Sequence, residues 1–70
     1  MSKADEMFEK LGYKKQEGLR EINYGCGNNV IIFYKNFKWI GCSKMEEIDF
    51  INMQELQVIN EKCKELGWIE

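Results

Sequence analysis

Asn29-Val30-Ile31-Ile32-Phe33-Tyr34-Lys35-Asn36-Phe37-Lys38-Trp39-Ile40-Gly41-Cys42 is the stretch on which the fold turns. Two runs rich in β-branched and aromatic residues flank a polar dipeptide, the pattern of two antiparallel strands joined by a tight turn. Lys35-Asn36 is read as a two-residue hairpin loop. Tyr34 then pairs with Phe37, and Ile32 lies opposite Trp39 on the same face, because one face of a sheet takes every second residue.

Working backwards, Lys15 to Tyr24 is expected to form the preceding strand. Gly25-Cys26-Gly27-Asn28 reverses the chain, since Gly and Asn tolerate positive φ. An even loop pairs Tyr24 with Asn29 and Ile22 with Ile31. One face then carries Ile22, Tyr24, Ile31, Phe33, Ile40 and Cys42, and the other Glu21, Asn23, Val30, Ile32, Tyr34, Phe37 and Trp39. The first set is the more uniformly apolar, so the helices are assigned to it.

Two helices bracket the strands. Ser2 is a good N-cap with Asp5 in capping-box register, and Ala4, Met7, Phe8 and Leu11 form an apolar stripe. At the far end Asn52 caps, Glu55 occupies N3, and Ile51 with Leu56 form a staple. The second stripe is read as Met53, Leu56, Ile59, Cys63 and Leu66, with Glu55, Glu61, Lys62 and Glu65 facing water. Both helices close alike, as Phe8-Glu9-Lys10-Leu11-Gly12-Tyr13 and Cys63-Lys64-Glu65-Leu66-Gly67-Trp68. A left-handed Gly at C′ frees donors for the last carbonyls, and the aromatic at C″ folds back on C3. Ile48 and Phe50, in the connection before the last helix, are expected to tuck beneath it.

The expected architecture is therefore α+β, in the order α-β-β-β-α: a three-stranded antiparallel sheet with two helices packed on one face. Residues 1–70 make one domain. At 70 residues such a domain is thin in stability and often relies on a staple or a second subunit. With 44% apolar residues and no Pro, disorder is not expected. No stretch approaches the ~20 apolar residues of a membrane span, and the charged start Met1-Ser2-Lys3-Ala4-Asp5-Glu6 lacks a signal-peptide core. A cytoplasmic location is the expectation.

Composition also narrows the chemistry. The chain has 12 acidic and 10 basic residues, net −2, so it lacks the basic field of a dedicated nucleic-acid binder. Three cysteines, Cys26, Cys42 and Cys63, are widely spaced, and there is no His to complete a zinc site or serve as a base near neutral pH. An odd number of spaced cysteines suits reduced thiols. Cys42 and Cys63 fall at expected core positions, whereas Cys26 falls in a predicted loop and is the candidate reactive thiol. No nucleophile elbow, phosphate-binding loop or zinc-protease motif occurs. Acid pairs at Asp5-Glu6 and Glu46-Glu47, with Asp49, read as solvated or capping groups. No enzyme, no cofactor and no metal are expected.

One feature rises above the fold. Ile32, Tyr34, Phe37 and Trp39 form a contiguous apolar and aromatic patch on the face without helices. Such patches on small proteins mark interfaces, and Trp and Tyr are enriched at binding hot spots. The partner-binding residues are thus expected to be Ile32, Tyr34, Phe37 and Trp39, acting in a homodimer or on a foreign protein. The competing reading is a single-stranded nucleic-acid or nucleotide binder that stacks bases on the same aromatics, with Lys35, Lys38 and Lys44 nearby. The element order is also that of the double-stranded RNA-binding domain, but the stretch Asn52-Met53-Gln54-Glu55-Leu56-Gln57 lacks that family's lysines. Nucleic acid is the less favoured partner, and no membrane is expected.

Met7-Phe8-Glu9-Lys10-Leu11-Gly12-Tyr13, and Ile51-Asn52-Met53-Gln54-Glu55-Leu56-Gln57-Val58-Ile59-Asn60 leading to Glu65-Leu66-Gly67-Trp68, resemble small uncharacterised phage and prophage proteins of low-GC Gram-positive bacteria. The resemblance covers the two helices. It implies a context, that of phage accessory proteins that bind and inhibit host proteins, and carries no activity onto any residue.

Overall fold

The computed structural model describes residues 2–44 and 51–69. The first helix, α1 (Lys3–Lys10), begins at Ser2, whose hydroxyl accepts from the Asp5 backbone N–H at 3.0 Å. It ends in a complete Schellman motif: Gly12 N–H donates to Glu9 and Tyr13 N–H to Phe8, with Gly12 at φ 92. The Tyr13 ring packs edge-on to Phe8 at 5.6 Å, as the closing pattern requires. The last helix, α2 (Met53–Glu65), ends the same way, with Gly67 N–H donating to Lys64 and Trp68 N–H to Cys63.

Between the helices lies an antiparallel sheet of four strands, β1 (Lys14–Glu17), β2 (Glu21–Cys26), β3 (Asn29–Tyr34) and β4 (Trp39–Ser43), in that spatial order. The single strand expected from Lys15 to Tyr24 is two. Gly18 N–H donates to Glu21 at 2.8 Å and turns the chain, leaving Leu19 97% exposed at the tip. β1 reads Lys-Lys-Gln-Glu and is exposed along its length, so it carries no apolar alternation by which a strand announces itself. It pairs Lys15 with Tyr24 and Glu17 with Ile22. Lys35 Nζ holds the turn from β3, donating to Gly18 O and to Glu17, both at 3.0 Å.

Both expected hairpin registers shift by two residues. The β2–β3 turn is Gly27-Asn28, with Gly27 at φ 60, so Gly25 and Cys26 belong to β2 and Tyr24 pairs with Ile31. The β3–β4 turn spans residues 35–38, and Tyr34 pairs with Trp39. A two-residue turn at Lys35-Asn36 would favour positive φ at two side-chain-bearing residues, whereas the longer loop needs it at one. The chain instead takes the longer loop and places the left-handed residue at Lys38, φ 57. Because the shifts are even, the side chains of β2, β3 and β4 keep their expected faces, while Phe37 leaves the strand for the turn.

Both helices pack on the face carrying Ile22, Tyr24, Ile31 and Phe33, all nearly inaccessible. Phe8 stacks on Tyr24 at 3.8 Å, and Phe33 meets both rings near perpendicular. Each such pair contributes about 0.5–1.5 kcal/mol beyond its burial. Ile40 points to the same face but is 40% exposed, at the strand farthest from β1.

α2 is rotated from the expected stripe. Its buried positions are Glu55, Val58, Ile59, Lys62 and Cys63, whereas Met53 and Leu56 are exposed, and Ile51 with them. Glu55 and Lys62 were expected to face water. They turn inward because tyrosine hydroxyls and a carboxylate of the core need charged partners there. The expectation that Ile48 and Phe50 tuck beneath α2 lies outside the described residues, as does the acid group Glu46, Glu47 and Asp49.

Candidate interaction surface

The sheet face away from the helices carries, in paired rows, Glu21–Tyr34–Trp39, Gln16–Asn23–Ile32–Gly41 and Lys14–Gly25–Val30–Ser43. Trp39 is 63% exposed and Phe37, in the turn that precedes it, 61%. Their rings stack at 4.6 Å and 24°. Tyr34 lies beside them, and its ring sits 3.3 Å from where a Cβ on Gly41 would be. Gly41 therefore lets the phenol lie flat along the sheet. Ile32 and Val30 are half-buried in the middle of the face. The four residues expected to form the patch are thus adjacent, with Phe37 contributed by the turn and not by a strand.

The other corner of the same face is hollow. Lys14, Gln16, Asn23, Gly25, Gly27 and Val30 line a shallow groove of about 400 Å³. The Asn23 Oδ1 beneath it is shielded and has no hydrogen-bond donor. Sequence reasoning missed this groove because it needs β1 as a separate strand. The one available signal was the run of small residues around Gly25 and Gly27.

Two charged clusters lie on the helix side. Asp5 accepts from Tyr24 Oη at 2.5 Å, from Lys15 Nζ at 2.9 Å and from Lys62 Nζ at 3.3 Å. Burial alone would raise its carboxyl, but the bonds from Tyr24, Lys15 and Lys62 outweigh it and hold Asp5 well below the usual carboxylate range. Beside it a cleft of about 500 Å³ opens between α1 and β1, floored by Phe8, Tyr13 and Tyr24. Close by, Glu55 accepts from Tyr13 Oη at 2.5 Å, Lys44 Nζ at 2.6 Å and Asn52 N–H at 3.1 Å, completing a capping box. Burial opposes the charge of Glu55, yet the bonds from Lys44 and Tyr13 keep its carboxyl below the ordinary value.

These clusters tie the two helices to the sheet. Burial, and then the hydrogen bonds to Glu55 and Asp5, push the phenols of Tyr13 and Tyr24 far above their ordinary value. The carboxyls of Asp5 and Glu55 are thus moved down and the phenols of Tyr13 and Tyr24 up, each away from the neutral range. Among the described residues no group of three or more metal-ligating side chains occurs, and no helix is long and apolar enough to cross a membrane.

The three cysteines form no disulfide with one another. Cys26, expected exposed in a loop, lies in β2, half-buried against the core with its sulfur near Gly12. Cys42 is also half-buried, and burial raises the Cys63 thiol. The lysines named beside the patch differ in availability. Lys38 is exposed, Lys35 is tied to Glu17 and Gly18, and Lys44 is 5% exposed against Glu55. No known protein family, curated protein or solved structure matches the chain.

Proposed function

We propose that this chain is a non-catalytic contact protein whose working surface is the open sheet face, with Ile32, Tyr34, Phe37 and Trp39 as its anchors. The observation that carries the reading is the stacked, exposed Phe37–Trp39 pair. Aromatic side chains offer large contact area with few rotatable bonds, so little entropy is lost when a partner covers them. In a protein this small, leaving two such rings in water is a cost that association removes.

A cytoplasmic setting and a role as a phage or prophage accessory protein acting on a host protein fit a small contact module. The cytoplasmic setting rests on the odd, widely spaced cysteines and the lack of a long apolar stretch in the sequence, and the phage context on the resemblance of the two helices. Base stacking on the same rings is the second reading, and the engagement of Lys35 and Lys44 within the fold weighs against it, because few cations remain beside the rings for phosphates.

The test is solution mass by light scattering for the unmodified chain and for Trp39→Glu combined with Tyr34→Lys, followed by binding assays with both forms. A folded variant that has lost every association of the parent supports the reading. A variant that keeps them refutes it. Association that weakens steeply with added salt points to phosphate recognition instead.

A further inference from the structure

The open face is self-complementary, and we propose that its occupant is a second copy of this chain, packed face to face with the strands crossed. This deepens the proposed contact role and rests on it. Bulk is concentrated at one corner of the face, where Trp39 on the outer strand β4 stacks with Phe37 and adjoins Tyr34. The hollow lies at the diagonally opposite corner, between β1, β2 and β3, lined by Lys14, Gln16, Asn23, Gly25, Gly27 and Val30.

A twofold axis lying in the plane of the face, along the diagonal from the Gly18 turn at the end of β1 towards Ser43, exchanges those corners. Each copy's aromatic ridge then enters the other's groove, and both contacts form at once, as an isologous interface requires. The same operation turns the strands to near right angles, one of the two stable ways for sheets to pack. It also brings Lys14 over the indole of the partner's Trp39, where a cation is attracted to the ring face. Glu21 falls over the partner's Gln16, an uncharged side chain able to donate to it. An axis parallel or perpendicular to the strands leaves the ridge over β1 at its own end or over β4, and the groove empty.

The area is sufficient. Four strands about 4.8 Å apart and five residues at about 3.4 Å make a face of roughly 20 by 17 Å. That footprint is about 340 Å². The exposed parts of the Phe37 and Trp39 rings, 61% and 63% accessible, add on the order of 100–150 Å² each, which brings the total to about 600 Å² per copy and about 1,200 Å² in all. That is the lower bound of stable specific interfaces. A dimer with a dissociation constant in the micromolar range is expected.

The test uses two variants on the intact chain. Trp39→Glu removes the ridge. Gly25→Arg fills the groove, and a Cβ there meets nothing closer than the Asn29 carbonyl at 4.0 Å, so the strand accepts it. Light scattering at about 100 µM, well above the expected constant, should give a dimer for the parent and a monomer for each variant. Mixing the variants in equal amounts should restore part of the dimer, because one sound ridge then meets one sound groove.

A monomeric parent overturns self-association while leaving the face free for a different protein. A dimeric Gly25→Arg beside a monomeric Trp39→Glu overturns the crossed arrangement but keeps the patch as the contact. If both variants remain dimeric, the patch itself is wrong. Should either variant fail to fold by circular dichroism, Lys14→Glu on the exposed strand β1 replaces it. That change should weaken the dimer at least tenfold, and an unchanged dimer would overturn the packing.

Discussion

Replacing Asp5 by Asn tests whether the core depends on a charge that sequence reasoning assigned to a helix cap. Asp5 is nearly isosteric with Asn, so packing is preserved while the charge is lost. Of its three partners, Lys15 is 35% exposed and its pair is worth under about 1 kcal/mol. Lys62 is the costly one, because its side chain is only 7% exposed. Breaking a buried pair costs about 3–5 kcal/mol when no partner remains, but Glu65 lies 3.6 Å away and recovers part of that. The Tyr24 hydroxyl keeps a neutral acceptor and loses about 1 kcal/mol.

The net expectation for Asp5→Asn is a loss of about 2–3 kcal/mol, against a total of roughly 3.5–10 kcal/mol for a chain of this length. With a urea slope near 1 kcal/mol/M, the unfolding midpoint at pH 7 should fall by about 2–3 M. Asp5 titrates lower in the fold than in the unfolded chain, so its contribution is full above about pH 4 and is lost as pH falls through the folded value. The gap between parent and variant should therefore stay constant from pH 7 to 5 and close in stronger acid. A midpoint change below about 0.5 M, or strict additivity with Tyr24→Phe, would refute the cluster as a coupled unit.

The two buried phenols give the opposite pH signature. Because Tyr13 and Tyr24 hold their protons more tightly when folded, they stabilise the fold below about pH 10, and that stability is lost as pH rises further. Ultraviolet titration should show Tyr13 and Tyr24 ionising only as the chain unfolds. Gly12→Ala tests the helix stop: the space is adequate, with Cys26 Sγ 3.5 Å from the new Cβ, but φ 92 is strained for any L side chain. A loss of about 1–2 kcal/mol in urea unfolding is expected, and a neutral result would refute the strain.

Much of the fold is legible in local pattern. The paired endings announce two Schellman stops, and Gly12, Tyr13, Gly67 and Trp68 perform those roles because capping involves only neighbours along the chain. The faces of β2, β3 and β4 were also readable, since alternation survives any even shift of register. Local pattern failed at the turn after Glu17, merging β1 with β2 into one strand, because the four polar residues of β1 carry no alternation that marks them off and are held by the edge that β2 offers.

The helix α2 shows the same boundary more sharply. By itself the sequence determined that 53–65 is a helix with an apolar side and a capping box at Asn52 and Glu55. Only the tertiary structure decided which side faces in. Helical periodicity scores Glu55 and Lys62 as solvent groups, and only their partners' positions reverse that. Tyr13 stands 42 residues from Glu55, and Asp5 stands 57 residues from Lys62. The open face follows the same rule, because a ridge on β4 and a groove on β1 and β2 become one surface only when four strands lie side by side. Hydrophobic patterning is a property of neighbours along the chain. The satisfaction of a buried charge, and the shape of a face, are properties of neighbours in space.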